Sequence, residues 1–260
     1  MRDQVEQARA LLSGAARVVV LTGAGVSAES GVPTFRGAGG LWKEFRPEEL
    51  ATPEAFARDP RLVWEWYGWR RALVAQCRPN PAHLAIARWM RAQAGVTLVT
   101  QNVDDLHERA AEDPAVVATP LAAPLEERLL KLHGSLFRSK CTRCTHAAEH
   151  REPVDASSAD MLPRCPSCGA LLRPDVVWFG EMLPPGATRA AFAAAGRAQA
   201  CLVVGTKGAV YPAAGVAHEA QAAGAAVIVV DPGETDYDAM ADVRLLGAAG
   251  AVVPAILEGC

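Results

Sequence analysis

The segment RVVVLTGAGVSA, residues 17–28, decides the fold. Its Val-rich start is typical of a strand buried on both faces of a parallel sheet. Gly23-Ala-Gly25-Val-Ser-Ala28 then matches G-x-G-x-x-A, in which glycines permit a tight turn and bring backbone N–H groups close to a dinucleotide pyrophosphate at the start of a helix. Alone, this pattern fits a small-residue turn between a strand and a helix equally well.

Three further Val-rich runs repeat the strand pattern. They are GVTLVTQN (95–102), ACLVVGT (200–206) and AAVIVVD (225–231), and alanine-rich segments with helical periodicity separate the later ones. Strands that alternate with helices form a parallel sheet covered on both faces. We therefore predict an α/β fold, a Rossmann-like doubly wound parallel sheet with its functional loops at the carboxyl ends of the strands.

Two segments interrupt this alternation. Residues 44–79 have a helical pattern, and residues 138–173 contain two Cys-x-x-Cys pairs. We predict that both form one small helical and zinc-ribbon module, inserted into a large nucleotide-binding domain of residues 1–43, 80–137 and 174–260. Residues 111–128 hold three prolines and no clear period, which predicts a surface loop.

The composition excludes several classes of protein. A net charge of −3 argues against a general nucleic-acid binder. No apolar stretch approaches the roughly 20 residues that span a bilayer, and the N-terminus has the pattern of an amphipathic helix rather than a signal peptide. We expect a cytoplasmic monomer with no nucleic-acid or membrane partner.

Four of the seven cysteines have the spacing of a metal site. They form two Cys-x-x-Cys pairs with twenty residues between them, namely Cys141, Cys144, Cys165 and Cys168. Without an export signal, this spacing favours zinc over disulfides. Because four thiolates complete a tetrahedron, this zinc would be structural. The alternative is four free thiols or a redox pair.

A carboxylate for the ribose of a dinucleotide is harder to assign. It is expected about twenty residues after the glycine motif, yet Glu44 follows no strand. Asp231 ends a predicted strand and is better placed, provided that the sheet order brings the last strands beside the glycine loop.

Five motifs, in order along nearly the whole chain, resemble the sirtuins, which are NAD-dependent protein deacylases. They are GAGVSAESGVPTFRG (23–37), TQNVDDLH (100–107), LHGSLF (132–137), RPDVVWFGE (173–181) and VVGTKGAVYPAA (203–214). The resemblance implies NAD as cofactor, one structural zinc, and acylated lysines of proteins or peptides as substrates.

The resemblance also implies how the reaction is divided among residues. Gln101, Asn102 and Asp104 would form the floor of the nicotinamide pocket, where a carboxylate accepts from the carboxamide. His133 would be the catalytic base, since a neutral imidazole can take a proton near pH 7. The acyl oxygen of the lysine would displace nicotinamide, and the products would be free lysine, nicotinamide and an O-acyl-ADP-ribose.

The remaining site residues follow from the same resemblance. The expected catalytic residues are His133 and Asn102. The expected cofactor-binding residues are Gly23, Ala24, Gly25, Ser27, Phe35, Arg36, Trp42, Gln101, Asn102, Val103, Asp104, Gly205, Thr206, Lys207, Asp231, Pro232, Gly233 and Ala249. The substrate peptide would pair, as an added strand, with the segment that contains Val177, Phe179, Gly180 and Glu181.

Two positions depart from the family pattern. Lys207 stands where serine is usual, and Asp231-Pro232 stands where asparagine is usual. Lys207 could meet a phosphate or ribose oxygen or point to water, whereas Asp231 can still accept from ribose hydroxyls. Both put the affinity for the cofactor in doubt rather than its identity.

The helical segment WEWYGWRR, residues 64–71, indicates the acyl group. Tyr67 and Arg70 are three residues apart, hence neighbours on one helical face, and together they suit a carboxylate. The pair resembles the sirtuin subgroup that removes succinyl, malonyl and glutaryl groups. An acetyl group offers the arginine no carboxylate, which costs about 1–3 kcal/mol in a dry site. The alternative is an arginine snorkelling from an amphipathic helix.

For the neighbouring residues of this helix we expect packing by Trp64, Trp66 and Trp69 and a solvated Arg71. Alternatives to acidic deacylation are mainly lysine deacetylation, mono-ADP-ribosyl transfer to protein, and a non-enzymatic zinc-ribbon module or NAD sensor.

Overall fold

The computed structural model describes residues 2–33 and 47–260. The strands are β1 (Val18–Thr22), β2 (Val96–Thr100), β3 (Leu129–Lys131), β4 (Gly134–Cys141), β5 (Ala147–Glu149), β6 (Leu172–Val176), β7 (Ala200–Val204), β8 (Ala226–Val230) and β9 (Val243–Leu245). The helices are α1 (Arg2–Ser13), α2 (Pro47–Leu50), α3 (Pro53–Arg58), α4 (Pro60–Gln76), α5 (Pro81–Ala92), α6 (Leu106–Ala111), α7 (Pro114–Val117), α8 (Pro185–Ala195), α9 (Gly215–Ala222) and α10 (Ala249–Leu257).

Six strands form the larger sheet in the order β3-β2-β1-β7-β8-β9, and all neighbours are parallel. This confirms the predicted Rossmann-like fold. All five residues of β1 are buried because both faces of the sheet are covered. Val18 and Val20 pack into the core on one face, whereas Val19 and Leu21 pack into the core on the other. The strand order also places β7 between β1 and β8, so the loops after these strands share one edge.

A second sheet has three antiparallel strands in the order β5-β4-β6. Helix α4 packs against it, and a third apolar cluster joins Trp64 and Tyr67 of the helix to Leu136 of β4, to Leu162 before β6 and to Trp178 after it. The two segments that interrupt the α/β pattern thus meet in one cluster. The division into a large domain and a small module remains a prediction.

Residues 111–128 are more ordered than the predicted surface loop. They contain α7, and Val116 is wholly buried against Ala87 and Ala110. The loop prediction is therefore wrong for this helical turn, although Val117 and Leu121 are each 50% exposed. None of the helices within residues 2–33 and 47–260 is long and apolar enough to cross a membrane.

Candidate active site

The loops after β1 and β7 touch through glycine. The N–H of Gly25 donates to the carbonyl of Gly205 at 2.9 Å, and the N–H of Gly23 donates to the carbonyl of Val204 at 3.1 Å. A Cβ on Gly25 would lie 2.7 Å from the Cα of Gly205, which itself has φ of 61°. Glycine is needed here because the two backbones lie against each other. Gly23 leads into a helix, as the motif predicts, and this helix is a seven-residue 3₁₀ helix, Ala24–Ser30.

Buried polar side chains lie next to this glycine crossing. Ser27 donates to the Asp104 carboxylate at 3.0 Å and accepts from the Asn102 amide at 3.1 Å. Gln101 donates to the Thr206 hydroxyl at 2.9 Å, which ties the end of β2 to the end of β7. The expected floor residues, all in the loop after β2, are therefore bonded to side chains that follow β1 and β7.

Burial sets the ionisation of this cluster. It raises the pKa of Asp104, and the Leu106 N–H, Lys131 and the Ser27 hydroxyl act in the opposite direction. It lowers the pKa of His83, whose Nε2 lies 3.2 Å from the Ser27 oxygen, to about 4. A neutral His83 and a carboxylate held by hydrogen-bond donors form a polar network that fixes the orientation of these side chains.

Two members of this network were missing from the sequence prediction. His83 and His107 pack with ring centres 4.8 Å apart, and His107 contacts the Thr22 hydroxyl at 3.1 Å. His83 is the third residue of α5 and forms a capping box with Asn80. The signal that could have found it is the sequence Asn-Pro-x-His at a helix start, which indicates a cap but not a pocket.

His133 has the geometry of a base with one fixed tautomer. Its Nδ1 lies 2.9 Å from the carbonyl of Gln101. A carbonyl only accepts, so Nδ1 carries the proton and neutral His133 has a basic Nε2. Burial lowers the pKa of His133, opposed by that hydrogen bond, so the neutral form dominates at pH 7. The carbonyl of His133 also accepts from Val177 N–H at 2.9 Å, next to the predicted peptide edge.

Tyr67 and Arg70 lie side by side on α4. The Arg70 guanidinium carbon is 4.7 Å from the Trp66 ring centre and 5.6 Å from that of Tyr67. The Tyr67 oxygen accepts from Trp178 Nε1 at 2.9 Å. Because an indole N–H can only donate, the phenol proton is left for another acceptor. Burial raises the pKa of Tyr67, so the phenol stays protonated.

The electrostatics of Arg70 connect this helix to the floor of the site. Burial lowers its pKa, whereas the nearby Tyr67 and Asp104 raise it. Asp104 belongs to the Ser27 network, so the two predicted pockets are close enough to interact electrostatically.

Arg71 is buried, and the expectation that it would be solvated is wrong. Its Nε donates to the carbonyl of Leu136 at 2.5 Å and its Nη2 to that of Arg138 at 3.1 Å. These carbonyls lie beside the irregularity in the pairing of β4 with β6, between Ser135 and Ser139. Arg71 therefore links α4 to β4 by hydrogen bonds, at a point where the irregular pairing of β4 with β6 leaves backbone carbonyls without a partner on the next strand.

The three tryptophans of α4 differ in their surroundings. Trp64 and Trp66 are buried, as expected for packing residues. Trp69 is 36% exposed, so its ring is covered less than the other two, and its role in packing stays a prediction.

The predicted peptide edge, residues 177–181, continues beyond β6 and is not itself a strand in the structure, since β6 ends at Val176. Gly180 turns the chain with φ of 85°. The Glu181 carboxylate accepts hydrogen bonds from both terminal nitrogens of Arg173, at 2.5 and 2.9 Å, and from the N–H of Trp178 at 2.9 Å. Burial raises the pKa of Glu181, but these donors lower it by more, so its pKa lies below the ordinary value. The carboxylate therefore stays ionised and holds the loop.

Phe179 is 48% exposed on this loop, and its N–H donates to the carbonyl of Ala51 at 2.9 Å. The N–H groups of Val177, Trp178 and Phe179 are thus all used within the described chain. A peptide that pairs here would have to use carbonyl groups of this segment or the N–H of Gly180, which donates to no acceptor among the described residues.

At the adenosine side of the expected site, Asp231 is buried at the end of β8 and Lys207 lies 2.7 Å from its Oδ1. Gly233 donates to the same oxygen at 2.9 Å, whereas Pro232 is exposed. Ala249 is buried at the start of α10, where the next N–H donates to Glu29 at 2.6 Å. The sheet order therefore brings Asp231 to the edge that holds Gly205, as the sequence argument required.

The sulfur atoms of the four predicted ligands lie within 4.8 Å of one another. The Cys141–Cys168 and Cys144–Cys165 sulfur distances are 3.5 and 3.6 Å. Tetrahedral Zn–S bonds of about 2.3 Å separate sulfurs by about 3.8 Å, so the cluster suits one structural zinc with no place left for a substrate. The backbone N–H groups of Arg143 and Cys144 each donate to Cys141 Sγ at 3.3 Å, which favours its thiolate form.

Three expected cofactor residues, Phe35, Arg36 and Trp42, lie outside the described residues. Val103 is buried, and its carbonyl accepts from Leu136 N–H at 2.8 Å, so its backbone supports β4.

Known proteins resemble this chain over most of its length. The model of the Sir2 family matches residues 23–212. An NAD-dependent protein deacylase of Ralstonia nicotianae is 50% identical over 257 residues, which cover 96% of this chain and 95% of the relative.

Solved structures are similar as well. The crystal structure of a complex of a Sir2 homologue with NAD has a TM-score of 0.86 and 43% identity, and the match covers 97% of this chain and 92% of that one. A Sir2 protein bound to a myristoylated histone peptide has a TM-score of 0.75 and 35% identity, with 99% and 96% covered.

Proposed function

The chain belongs to the Sir2 family of NAD-dependent protein deacylases, and on that premise we propose that it prefers lysines bearing acidic acyl groups, such as succinyl, malonyl and glutaryl. The observation that carries the proposal is the position of Arg70 beside Tyr67. A guanidinium can bind both oxygens of a carboxylate, and the phenol proton adds a third donor.

The surroundings of the pair favour a charged ligand. Trp66 and Trp178 enclose Tyr67, and Trp66 also stacks on the Arg70 guanidinium. Apolar walls strengthen a charge-assisted hydrogen bond because they keep water away. An acetyl group has no carboxylate to accept hydrogen bonds from Arg70 and Tyr67. We therefore expect acetyl-lysine to react more slowly than succinyl-lysine.

The residues at the sheet edge fit NAD. The loops after β1 and β7 consist mainly of glycines and small side chains, which would let a pyrophosphate approach, although the N–H groups of Gly23 and Gly25 already donate to Val204 and Gly205. Asn102 and Asp104 present an amide and a carboxylate suited to a carboxamide. When bound, NAD supplies an electrophilic ribose carbon with nicotinamide as the leaving group. Gly23, Gly25, Gly205, Thr206 and Asp231 would hold its adenosine diphosphate part.

His133 is the proposed base. Its fixed Nδ1–H leaves Nε2 to take a proton from a ribose hydroxyl, and its lowered pKa keeps it ready at pH 7. The Gln101 carbonyl accepts the Nδ1–H bond and so fixes the orientation of the ring and of Nε2. The carbonyl takes no part in the proton transfer. Asn102 is held by Ser27 and is proposed to position the reacting groups.

The substrate peptide is proposed to lie along residues 177–181, with exposed Phe179 beside it. The relative that binds a myristoylated histone peptide supports an acylated peptide as the partner. The Arg173–Glu181 ion pair would keep this loop in place.

The proposal is tested with one peptide carrying acetyl, succinyl or glutaryl lysine, each incubated with NAD and the zinc-loaded protein. Chromatography and mass spectrometry measure nicotinamide and O-acyl-ADP-ribose. We expect a higher kcat/KM for succinyl and glutaryl than for acetyl. Equal values would favour the general deacetylase, and ADP-ribose attached to protein would favour the transferase. Nicotinamide release without an acylated peptide would contradict the proposal.

A further inference from the structure

Asp105 is a buried carboxylate that does not cap the helix it precedes. Its side chain is 4% exposed and makes no hydrogen bond to the start of α6, where the N–H of Leu106 donates to Asp104 instead, at 3.1 Å. A carboxylate taken out of water is strongly destabilising unless a cation pairs with it. The cations around Asp105 therefore indicate what this side chain does.

The nearest cation comes from the small sheet. Arg151, which follows β5, donates from Nη1 to Asp105 Oδ2 at 2.8 Å and from Nε to Glu149 Oε1 at 2.6 Å. Its guanidinium carbon lies 4.8 Å from the ring centre of Phe137 on β4. Contacts to both strands thus hold this arginine, and β4 ends at Cys141, one of the four clustered cysteines.

A second arginine approaches Asp105 from its own helix. Arg109 Nη1 lies 3.5 Å from Asp105 Oδ1, an oxygen that accepts no hydrogen bond within residues 2–33 and 47–260. The same guanidinium donates from Nη2 to the carbonyl of Cys77 at 2.5 Å, directly after α4. Asp105 is therefore linked to the small sheet by Arg151 and to the end of α4 through Arg109.

Asp105 follows the four-residue loop 101–104, which supports the candidate active site. The carbonyl of Gln101 lies 2.9 Å from His133 Nδ1, and the carbonyl of Asp104 accepts from Lys131 Nζ at 2.5 Å. Lys131 ends β3, so the larger sheet holds the loop from one side. Arg151 holds its carboxyl end from the other side, and a shift of Asp105 would move the backbone that orients His133.

We propose that the Arg151–Asp105 ion pair is a positioning contact for the reaction, through which the small sheet holds the loop after β2. The inference rests on the proposed function, which places the carboxamide of nicotinamide at Asn102 and Asp104. Neither side chain of the pair needs to touch the cofactor, because the pair acts through the adjoining backbone. A displacement of about 1 Å at a reacting group can lower a rate by about 100-fold, so the pair affects kinetic constants as well as stability.

The test compares Arg151→Met with wild type in the full-length, zinc-loaded protein, with NAD and whichever of the acetyl and succinyl peptides reacts faster. We expect kcat to fall by about fivefold or more, and the inhibition constant of added nicotinamide to rise by about threefold or more. An inhibition constant does not depend on the folded fraction, so a merely structural role would leave it unchanged. The affinity for ADP-ribose, which lacks nicotinamide, stays within about twofold in titration calorimetry.

Arg138→Met is the matched control. The Arg138 side chain is 48% exposed, against 52% for Arg151, and it pairs with Asp175 at 3.3 Å inside the small sheet. Its kcat and its nicotinamide constant are expected within about twofold of wild type. Arg151→Lys keeps a charge near Asp105, so both of its constants should lie between those of Arg151→Met and wild type. Elemental analysis of each variant checks that one zinc is still bound.

Unchanged constants in Arg151→Met, within about twofold of wild type, would overturn the inference, as would equal changes in Arg138→Met. An ADP-ribose affinity that falls as much as the nicotinamide affinity would also overturn it, since the effect would then extend beyond the loop. If Arg151→Met does not fold or loses zinc, Asp105→Asn breaks the same pair from the other side, and the same readings decide. Wild-type protein that releases no nicotinamide with either peptide would refute the proposed function itself, whereas normal deacylation with unchanged variants refutes only this inference.

Discussion

Replacing Arg70 with methionine tests the acyl pocket most sharply. Methionine keeps an unbranched side chain that can still pack on Trp66 and Tyr67, but it removes the guanidinium. A hydrogen bond to a charged group contributes about 1.5–3 kcal/mol. Because Arg70 is only partly buried, we take about 2 kcal/mol, which corresponds to a roughly 30-fold loss in kcat/KM.

The loss is expected for the succinyl peptide alone. The acetyl peptide has no carboxylate to lose, so its kcat/KM stays within about threefold of wild type. The assay measures initial rates of nicotinamide release at several concentrations of one peptide in both acylated forms, with saturating NAD. Since the lost contact is made to the acyl tail in the bound substrate, most of the change is expected in KM.

Arg61→Met is the matched control because it removes an arginine from the same helix, about 13 Å away along its axis. We expect it to change neither peptide's kinetics. A succinyl rate that falls less than about threefold in Arg70→Met, or an acetyl rate that falls equally, would refute the reasoning, since the arginine would then support the fold rather than the acyl tail.

Three other predictions concern the base, the zinc and the buried arginine. The kcat/KM should fall at acid pH with a midpoint below pH 6.5, because burial lowers the pKa of His133 and the base must be neutral. A series of measurements from pH 5 to pH 8 checks this, and a midpoint above 6.5 would contradict it. Cys165→Ser should lose the one bound zinc by elemental analysis and lower the Tm, and unchanged stability would argue against a structural metal. Arg71→Met should lower the free energy of unfolding, measured in urea, by about 2–4 kcal/mol, because the carbonyls of Leu136 and Arg138 lose their donors. The control Arg61→Met should change this free energy by less than about 1 kcal/mol.

Buried His83 makes stability depend on pH. Its folded pKa of about 4 lies below the ordinary 6.5, so the unfolded chain binds more protons between these values and stability falls as pH drops through that window. Between pH 7 and pH 5 this group alone contributes a loss of about 2 kcal/mol. Urea titrations of wild type and His83→Gln at both pH values measure it, and identical losses in both proteins would contradict it.

The sheet and the zinc ligands could be predicted because their signals are local. Continuous apolar runs such as Val18–Thr22 indicate strands covered on both faces, and the spacing of Cys141 and Cys144 indicates a metal knuckle. The position of Asp231 could also be predicted, since parallel strands present their carboxyl ends at one edge.

The rest depends on partners far away in the chain. Arg70 and Arg71 are adjacent, but Arg71 is buried because carbonyl groups 65 and 67 residues away need donors. The pairing of Lys207 with Asp231 spans 24 residues and needed the order of β7 and β8. After β6 ends at Val176, the chain is held by the Arg173–Glu181 pair and turns at Gly180, and neither feature has a periodic signal in the sequence.

The central claim is the preference for acidic acyl groups, and a competition assay on the unaltered protein tests it most directly. Equal concentrations of acetyl and succinyl forms of one peptide share a single reaction with excess NAD, and mass spectrometry follows both. The ratio of initial rates then equals the ratio of kcat/KM. We predict that the succinyl peptide is consumed at least about tenfold faster. Acetyl peptide consumed at the same rate or faster would contradict the account.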